Sequence, residues 1–130
     1  MLEYMRHEVW GCDHDLCIEA GTYAFGGGLF LQIYEVHEYG EIEPYSNLTV
    51  NLPGLGENGS YAYVDTNNFP EAETLISKYK LGRPTGKVGH SGYCTYPEYF
   101  FNLGEIKKYC INPSELIKHK AVQKERNEAR

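Results

Sequence analysis

The segment CDHDLC, at residues 12–17, groups two thiols, one imidazole and two carboxylates within six residues. Zinc prefers thiolate and imidazole ligands, so Cys12, His14 and Cys17 are the candidate metal ligands of this chain. The C-x-H-x-x-C order is not a usual zinc spacing, and a tetrahedral shell would need a further ligand from elsewhere. The alternative is free or buried thiols that behave as small apolar side chains. We expect no cofactor and keep zinc as the alternative.

The segment HSGYC, at residues 90–94, brings an imidazole and a thiol close together in sequence. A cysteine nucleophile needs a base within hydrogen-bond reach and a lowered thiol pKa, and proximity in sequence guarantees neither. A cysteine-dependent enzyme that uses His90 and Cys94 is therefore an alternative. We favour a protein without catalytic activity.

Tyrosine occurs 12 times in the chain, and two tyrosine-rich segments suggest a binding surface. In YAYVD, at residues 61–65, strand alternation places Tyr61, Tyr63 and Asp65 on one face. Tyr96 and Tyr99 belong to a second aromatic segment, at residues 93–103. A platform that stacks nucleic-acid bases has basic side chains between its rings, which these segments lack. The five residues therefore favour a protein partner, and direct binding of nucleic acid is not expected.

The composition indicates one folded, soluble domain. The 130 residues include 42% hydrophobic and 14% aromatic residues, which is enough apolar surface to argue against disorder. No apolar run reaches the roughly 18 residues of a membrane span, and the start of the chain does not resemble a signal peptide. We therefore expect a cytoplasmic protein with no membrane contact, whose four cysteines remain reduced.

The charge of the chain is unevenly distributed. The net charge is −6; residues 1–81 contain 13 acids and three bases, whereas residues 82–130 contain five acids and nine bases. An acidic surface keeps a small protein soluble, and it also suits a basic protein partner. The basic region at residues 107–130 leaves DNA binding open as a further alternative.

The hydrophobic pattern predicts an α+β fold: a small antiparallel meander of about four to five strands, with one main helix packed on it and a C-terminal helix. In the stretch from Ser60 to Gly82 the hydrophobic period changes from two to 3.6, which fixes a strand followed by a helix. We expect a single domain over residues 1–130, made of an irregular segment (1–27), an α+β core (28–112) and a C-terminal helix with a charged tail (113–130). The predicted strands are 29–37, 46–52, 60–66 and 93–103, the main helix is 69–81, and 83–92 is predicted as a loop.

Three blocks carry a resemblance to a known family: LTVNLP at 48–53, AYVDTNNFP at 62–70 and GYCTYPEYFFNL at 92–103. Together they resemble the bacterial domain of unknown function 4313, over about residues 28–105. The resemblance implies an accessory protein carried on bacterial mobile elements, and it transfers no catalytic residue.

We therefore predict a non-enzymatic, protein-binding accessory protein of a bacterial mobile element. Its acidic surface would act on a host defence complex or another nucleic-acid-binding complex. The alternatives are a small metal-binding or cysteine-dependent enzyme, and a DNA-binding factor that uses the basic C-terminal region.

Overall fold

A computed structural model describes residues 3–23, 28–52 and 60–116. Within these residues, eight strands form two antiparallel four-stranded sheets, and two short helices accompany them. The first sheet has the strand order β1-β2-β3-β4, with β1 (Met5–Val9), β2 (Cys12–Thr22), β3 (Leu29–Val36) and β4 (Ile42–Asn47). The second has the order β5-β6-β8-β7, with β5 (Thr49–Val50), β6 (Tyr61–Val64), β7 (Gly82–Ser91) and β8 (Cys94–Phe101).

Leu48 joins the two sheets. Its backbone N–H donates to the carbonyl of Leu31 in β3 at 2.9 Å, and its own carbonyl accepts from the N–H of Asp65 at 3.0 Å. The segment from β4 to β5 therefore leaves one sheet and enters the next at a single residue. Since Leu48 is fully buried, the junction lies inside the core.

The core is one connected cluster between the sheets and the helices. Helix α1 (Ala72–Tyr79) buries its apolar stripe there and ends at Lys80, whose φ of 56° is left-handed. Helix α2 (Leu103–Lys107) begins at Asn102, whose side chain accepts from the N–H of Glu105. The largest fully buried side chains come from both sheets and both helices: Met5, Leu16, Ile18, Leu29, Leu31, Ile33, Leu48, Leu75, Ile76, Leu81, Phe101 and Ile106.

The free edges of β1 and β2 are covered by other elements. The hydroxyl of Tyr79 in α1 accepts from the N–H of Arg6 at 2.6 Å and donates to its carbonyl at 3.0 Å. Past the end of β1, the segment at 109–112 lies along the edge of β2. The N–H of Ile18 donates to the carbonyl of Tyr109, and the carbonyl of Ile18 accepts from the N–H of Ile111. The Asn112 side chain then donates to the carbonyl of Ala20 and accepts from its N–H. These contacts satisfy backbone groups that an open edge would expose.

The α+β class with antiparallel sheets is confirmed, but the single meander is replaced by two sheets, because the predicted strand 46–52 divides at Leu48. The segment expected to be irregular, 1–27, contains β1 and β2, and the expected loop 83–92 is strand β7. Most side chains of β7 are exposed, so pairing with β8, rather than a hydrophobic pattern, makes it a strand. The C-terminal helix begins with helical residues 114–116, and the rest of that prediction lies outside the described residues.

Candidate functional site

Two turns meet at one end of the first sheet. The β1–β2 turn consists of Trp10 and Gly11, and the β3–β4 turn spans residues 37–41. Consecutive antiparallel strands place alternate turns at the same end of a sheet. Asp15, near the start of β2, pairs with Val36, at the end of β3, so the two turns lie at similar positions along the strand direction. We define residues 8–15 and 35–43 as the hairpin end. It contains seven Asp and Glu residues and no Lys or Arg.

Trp10 is the most conspicuous side chain of the hairpin end. The φ angles of Trp10 and Gly11 are 55° and 77°, as in the two central positions of a type I′ turn, where Asn-Gly is usual. A left-handed conformation costs an ordinary L-residue about 1–2 kcal/mol. The side chain is 97% exposed, so packing does not offset this cost. Neither the turn nor the core explains a tryptophan at this position.

A second exposed ring accompanies Trp10. Tyr39, in the β3–β4 turn, is 84% exposed, and Ile42 beside it is 46% exposed. Glu38 and Glu41 flank this pair and are exposed as well. Arg6, just outside the hairpin end, forms an exposed ion pair with Asp15 at 3.6 Å. The hairpin end therefore carries acidic side chains on both faces of the sheet and two exposed aromatic rings in its turns.

A group of imidazoles and carboxylates lies on the core-facing side of the hairpin end. Glu35 Oε2 lies 2.5 Å from His14 Nδ1, and Glu43 Oε1 lies 2.6 Å from His37 Nε2. The hydrogen bond to Glu43 raises the pKa of His37. One ligand atom each of Glu35, His37 and Glu43 lies within 4.8 Å of the other two. We call the four residues His14, Glu35, His37 and Glu43 the His–Glu cluster.

His7 lies beside the cluster and is buried. It pairs with His14 across the β1–β2 ladder, so both imidazoles project from the same face of the sheet. The rings of Tyr45 and Phe69 contact His7 edge-on, with centroids 6.3 and 5.8 Å away. Burial lowers the pKa of His7, and no hydrogen-bond partner of its Nε2 is found among the described residues.

The predicted metal ligands do not converge. Cys12 and His14 share one face of β2, whereas Cys17 projects from the other face and is fully buried. Burial raises the pKa of the Cys17 thiol, with Cys110 as a nearby second cause. The structure thus brings His14 to Glu35 rather than to the two cysteines.

The predicted binding residues are mostly internal. Tyr63, Asp65, Tyr96 and Tyr99 are each at most 8% exposed, and Tyr61 is half-buried. Tyr61, Tyr63 and Tyr96 share one face of the second sheet. Tyr99 projects from the opposite face into the core and donates to Glu73 Oε1 at 2.7 Å. These tyrosines do not form an exposed platform.

The other predicted chemical pair is also separated. His90 pairs with Thr95, and Ser91 pairs with Cys94, so the imidazole and the thiol project from opposite faces of the β7–β8 hairpin. The His90 ring bonds the Thr95 hydroxyl at 3.3 Å. Much of the basic region proposed for DNA binding, from residue 117 onward, lies outside the described residues.

One open cavity, of about 790 Å³, lies where α1, β7 and α2 meet. Lys80 and Arg83 are its charged lining residues among those described, and Arg83 lies 5.0 Å from the ring centroid of Phe100. No Cys, His, Asp or Glu of the described residues lines it. Its lining also includes the hydroxyls of Ser60, Ser77 and Tyr99.

Comparison with known families agrees with the three sequence blocks. Residues 17–120 match the family described as Domain of unknown function (DUF4313). This chain belongs to that family. No curated protein and no solved structure matches it. Among the described residues of this DUF4313 chain, neither helix has the length and apolar character that a membrane crossing requires.

Sequence reasoning missed the hairpin end of this DUF4313 chain. One signal was present: Glu35 and His37 are two residues apart in the predicted strand 29–37, so strand alternation places them on one face. A hairpin after that strand would bring Glu43 opposite Glu35, as the β3–β4 register does. Trp10 gave no signal, because Trp-Gly is not a recognised hairpin turn and β1 was not predicted as a definite strand.

Proposed function

We propose that this protein is a non-enzymatic accessory protein of a bacterial mobile element, acting in the cytoplasm by binding another protein through the hairpin end. The partner that fits has a basic surface, of the kind that normally holds nucleic acid. Blocking such a surface would inhibit a host defence complex or another nucleic-acid-binding complex.

The observation that carries this proposal is the combination of charge and exposed rings at the hairpin end. Seven acidic residues without a Lys or Arg attract a basic surface over a long range. Trp10 and Tyr39, almost fully exposed, suit a role as anchors in a partner's pockets, since tryptophan and tyrosine are enriched among the residues that dominate interfaces. The left-handed backbone of Trp10 supports the same role, because local strain accumulates at functional positions.

The arrangement of the other reactive groups supports a role without catalysis. His90 and Cys94 project from opposite faces of their hairpin, and burial raises the pKa values of both the Cys17 and Cys110 thiols. A thiol with a raised pKa is a poorer source of thiolate at neutral pH.

Comparative affinity capture from a bacterial lysate tests the proposal. The baits are the wild-type chain, the double variant Trp10→Ser/Tyr39→Ser, and a matched control, Tyr4→Ser/Tyr93→Ser, which removes two exposed rings elsewhere. We expect the wild-type and control baits to retain a basic protein at low salt. The Trp10/Tyr39 variant should not retain that protein. Purified, the basic protein should bind the chain in competition with a DNA fragment. Equal recovery of every retained protein by all three baits would contradict the proposal.

A further inference from the structure

The arrangement of Glu35 and Glu43 calls for a positive charge between them. The two glutamates are directly opposite each other in the β3–β4 register, and like charges at such positions destabilise a sheet. Their only basic neighbours within the His–Glu cluster are imidazoles, His14 on Glu35 and His37 on Glu43. A bound cation would replace this repulsion with attraction.

The burial of the cluster is graded. The side chains of His14 and Glu35 are 26% and 19% exposed, whereas those of His37 and Glu43 are 43% and 59% exposed. Leu16, on the core side of this group, pairs with Glu35 and is fully buried. The group is therefore closed toward the core and open toward solvent, so that an ion has access from one side and water can complete its shell.

The geometry points to a site for one divalent first-row metal ion, such as Zn²⁺ or Mn²⁺, with Glu35, His37 and Glu43 as the three protein ligands. An ion about 2.0–2.2 Å from each ligand atom requires ligand atoms roughly 3.4 Å apart. The three atoms lie within 4.8 Å of one another. Binding would move His37 and Glu43 apart from their 2.6 Å contact and would draw together any pair that is more than roughly 3.4 Å apart. One imidazole nitrogen and two carboxylate oxygens suit a borderline ion such as Zn²⁺ or a harder ion such as Mn²⁺ better than a soft ion such as Cu⁺.

His14 acts as a positioning residue in this site. Its Nδ1 lies 2.5 Å from Glu35 Oε2 and orients that carboxylate, as outer partners of metal ligands commonly do. His7 lies next to His14 on the same face of the sheet, and its ring contacts Tyr45 and Phe69 rather than the proposed ligands. Its imidazole is 7% exposed, shares the face with His14, and has an Nε2 without a hydrogen-bond partner among the described residues.

Calorimetric titration of the full chain, freed of metal with EDTA and then transferred to EDTA-free buffer, tests the site with ZnCl₂ and MnCl₂. We expect one ion per chain for wild type, loss of saturable binding in Glu35→Gln and His37→Ala, and about 10–100-fold weaker binding in His14→Gln. The controls Glu38→Gln, His90→Ala and Cys12→Ser should bind as wild type does. They remove a carboxylate, an imidazole and a thiol outside the proposed site.

Several results would overturn the site. No saturable uptake of either ion by wild type removes it, and so does binding that His37→Ala and Glu35→Gln leave unchanged while both variants retain the wild-type circular dichroism spectrum. Loss of binding in Cys12→Ser, or a thiolate charge-transfer band with Co²⁺, would show that cysteines hold the metal ion instead of the proposed ligands. An unchanged affinity in His14→Gln would end the positioning role of His14.

Discussion

Trp10 combines one feature that lowers the stability of the isolated protein with one that adds nothing to it. Its backbone is left-handed, and its large apolar side chain is exposed to water. Both features are reasonable if binding covers the ring, since a partner would then bury its area. The residue at the tip of the first hairpin thus links backbone conformation to the proposed function.

Replacing Trp10 with Asn should therefore have two effects: it should stabilise the free protein, and it should weaken the binding of the partner. Asn tolerates the left-handed region, so we expect a gain of about 1 kcal/mol in the free energy of unfolding. Urea denaturation measures this change, with Tyr39→Asn as the control, which removes an exposed ring without a positive φ. A lower stability of Trp10→Asn would show that the indole makes contacts that stabilise the fold.

His7 should make stability depend on pH. Burial lowers its pKa below 6.5, and His14 and Lys78 add to this effect, whereas Glu71 opposes it. The unfolded chain therefore binds this proton more readily, so the contribution of His7 is present above about pH 6.5 and is lost as the pH falls through the folded pKa.

The variant His7→Phe should lack this part of the pH dependence. Phenylalanine retains edge contacts with Tyr45 and Phe69 without a titrating group. Urea denaturation at pH 7.5 and 5.5, with EDTA present, gives the loss of stability on acidification for both proteins. An equal loss in wild type and variant would contradict the assignment.

Cysteine reactivity should follow burial. Cys12 is exposed, whereas burial raises the pKa values of the Cys17 and Cys110 thiols. We expect iodoacetamide at neutral pH to modify Cys12 in the folded protein and to reach Cys17 and Cys110 only after unfolding. Peptide mass spectrometry over time measures each site. Rapid modification of Cys17 in the folded chain would argue for an activated thiol and against a purely binding role.

At the scale of elements, the sequence predicted what depends on local pattern. The amphipathic helix exists, although it spans Ala72–Tyr79 rather than 69–81, and strands β3, β6 and β8 lie within their predicted ranges. Long-range pairing was not readable from local pattern. The break at Leu48 depends on bonds to Leu31 and Asp65, and β7 depends on pairing with β8. The His–Glu cluster combines three strands, so its sequence signal was only the spacing of Glu35 and His37.

Asn112 connects two elements of the fold, and the contribution of this contact to stability can be measured. Its side chain bonds both the N–H and the carbonyl of Ala20, which ties the C-terminal segment to the edge of β2. Asn112→Ala leaves both backbone groups without these bonds, and we expect a loss of about 1–3 kcal/mol. Urea denaturation measures it, with Asn67→Ala, an exposed position, as the control expected to stay within about 0.5 kcal/mol. Equal stability of the two variants would mean that water replaces the Asn112 bonds at no cost.

At the scale of the whole molecule, the negative charge is concentrated in one part of the chain. The N-terminal 81 residues carry most of the acids, and the first sheet has seven of them at the end that also carries two exposed rings. The sheets and helices hold that end in shape through one connected core. Electrostatic attraction of this kind acts mainly on the rate of encounter, whereas buried anchors act mainly on the rate of dissociation.

The association rate of the chain with its purified basic partner, measured at increasing salt, is the most direct test. We predict that the association rate constant falls by roughly tenfold or more between about 50 and 500 mM NaCl, because salt screens the acidic end. The dissociation rate constant should change little with salt and rise in Trp10→Ser. An association rate constant independent of salt, together with an unchanged dissociation rate constant in Trp10→Ser, would contradict binding through the hairpin end.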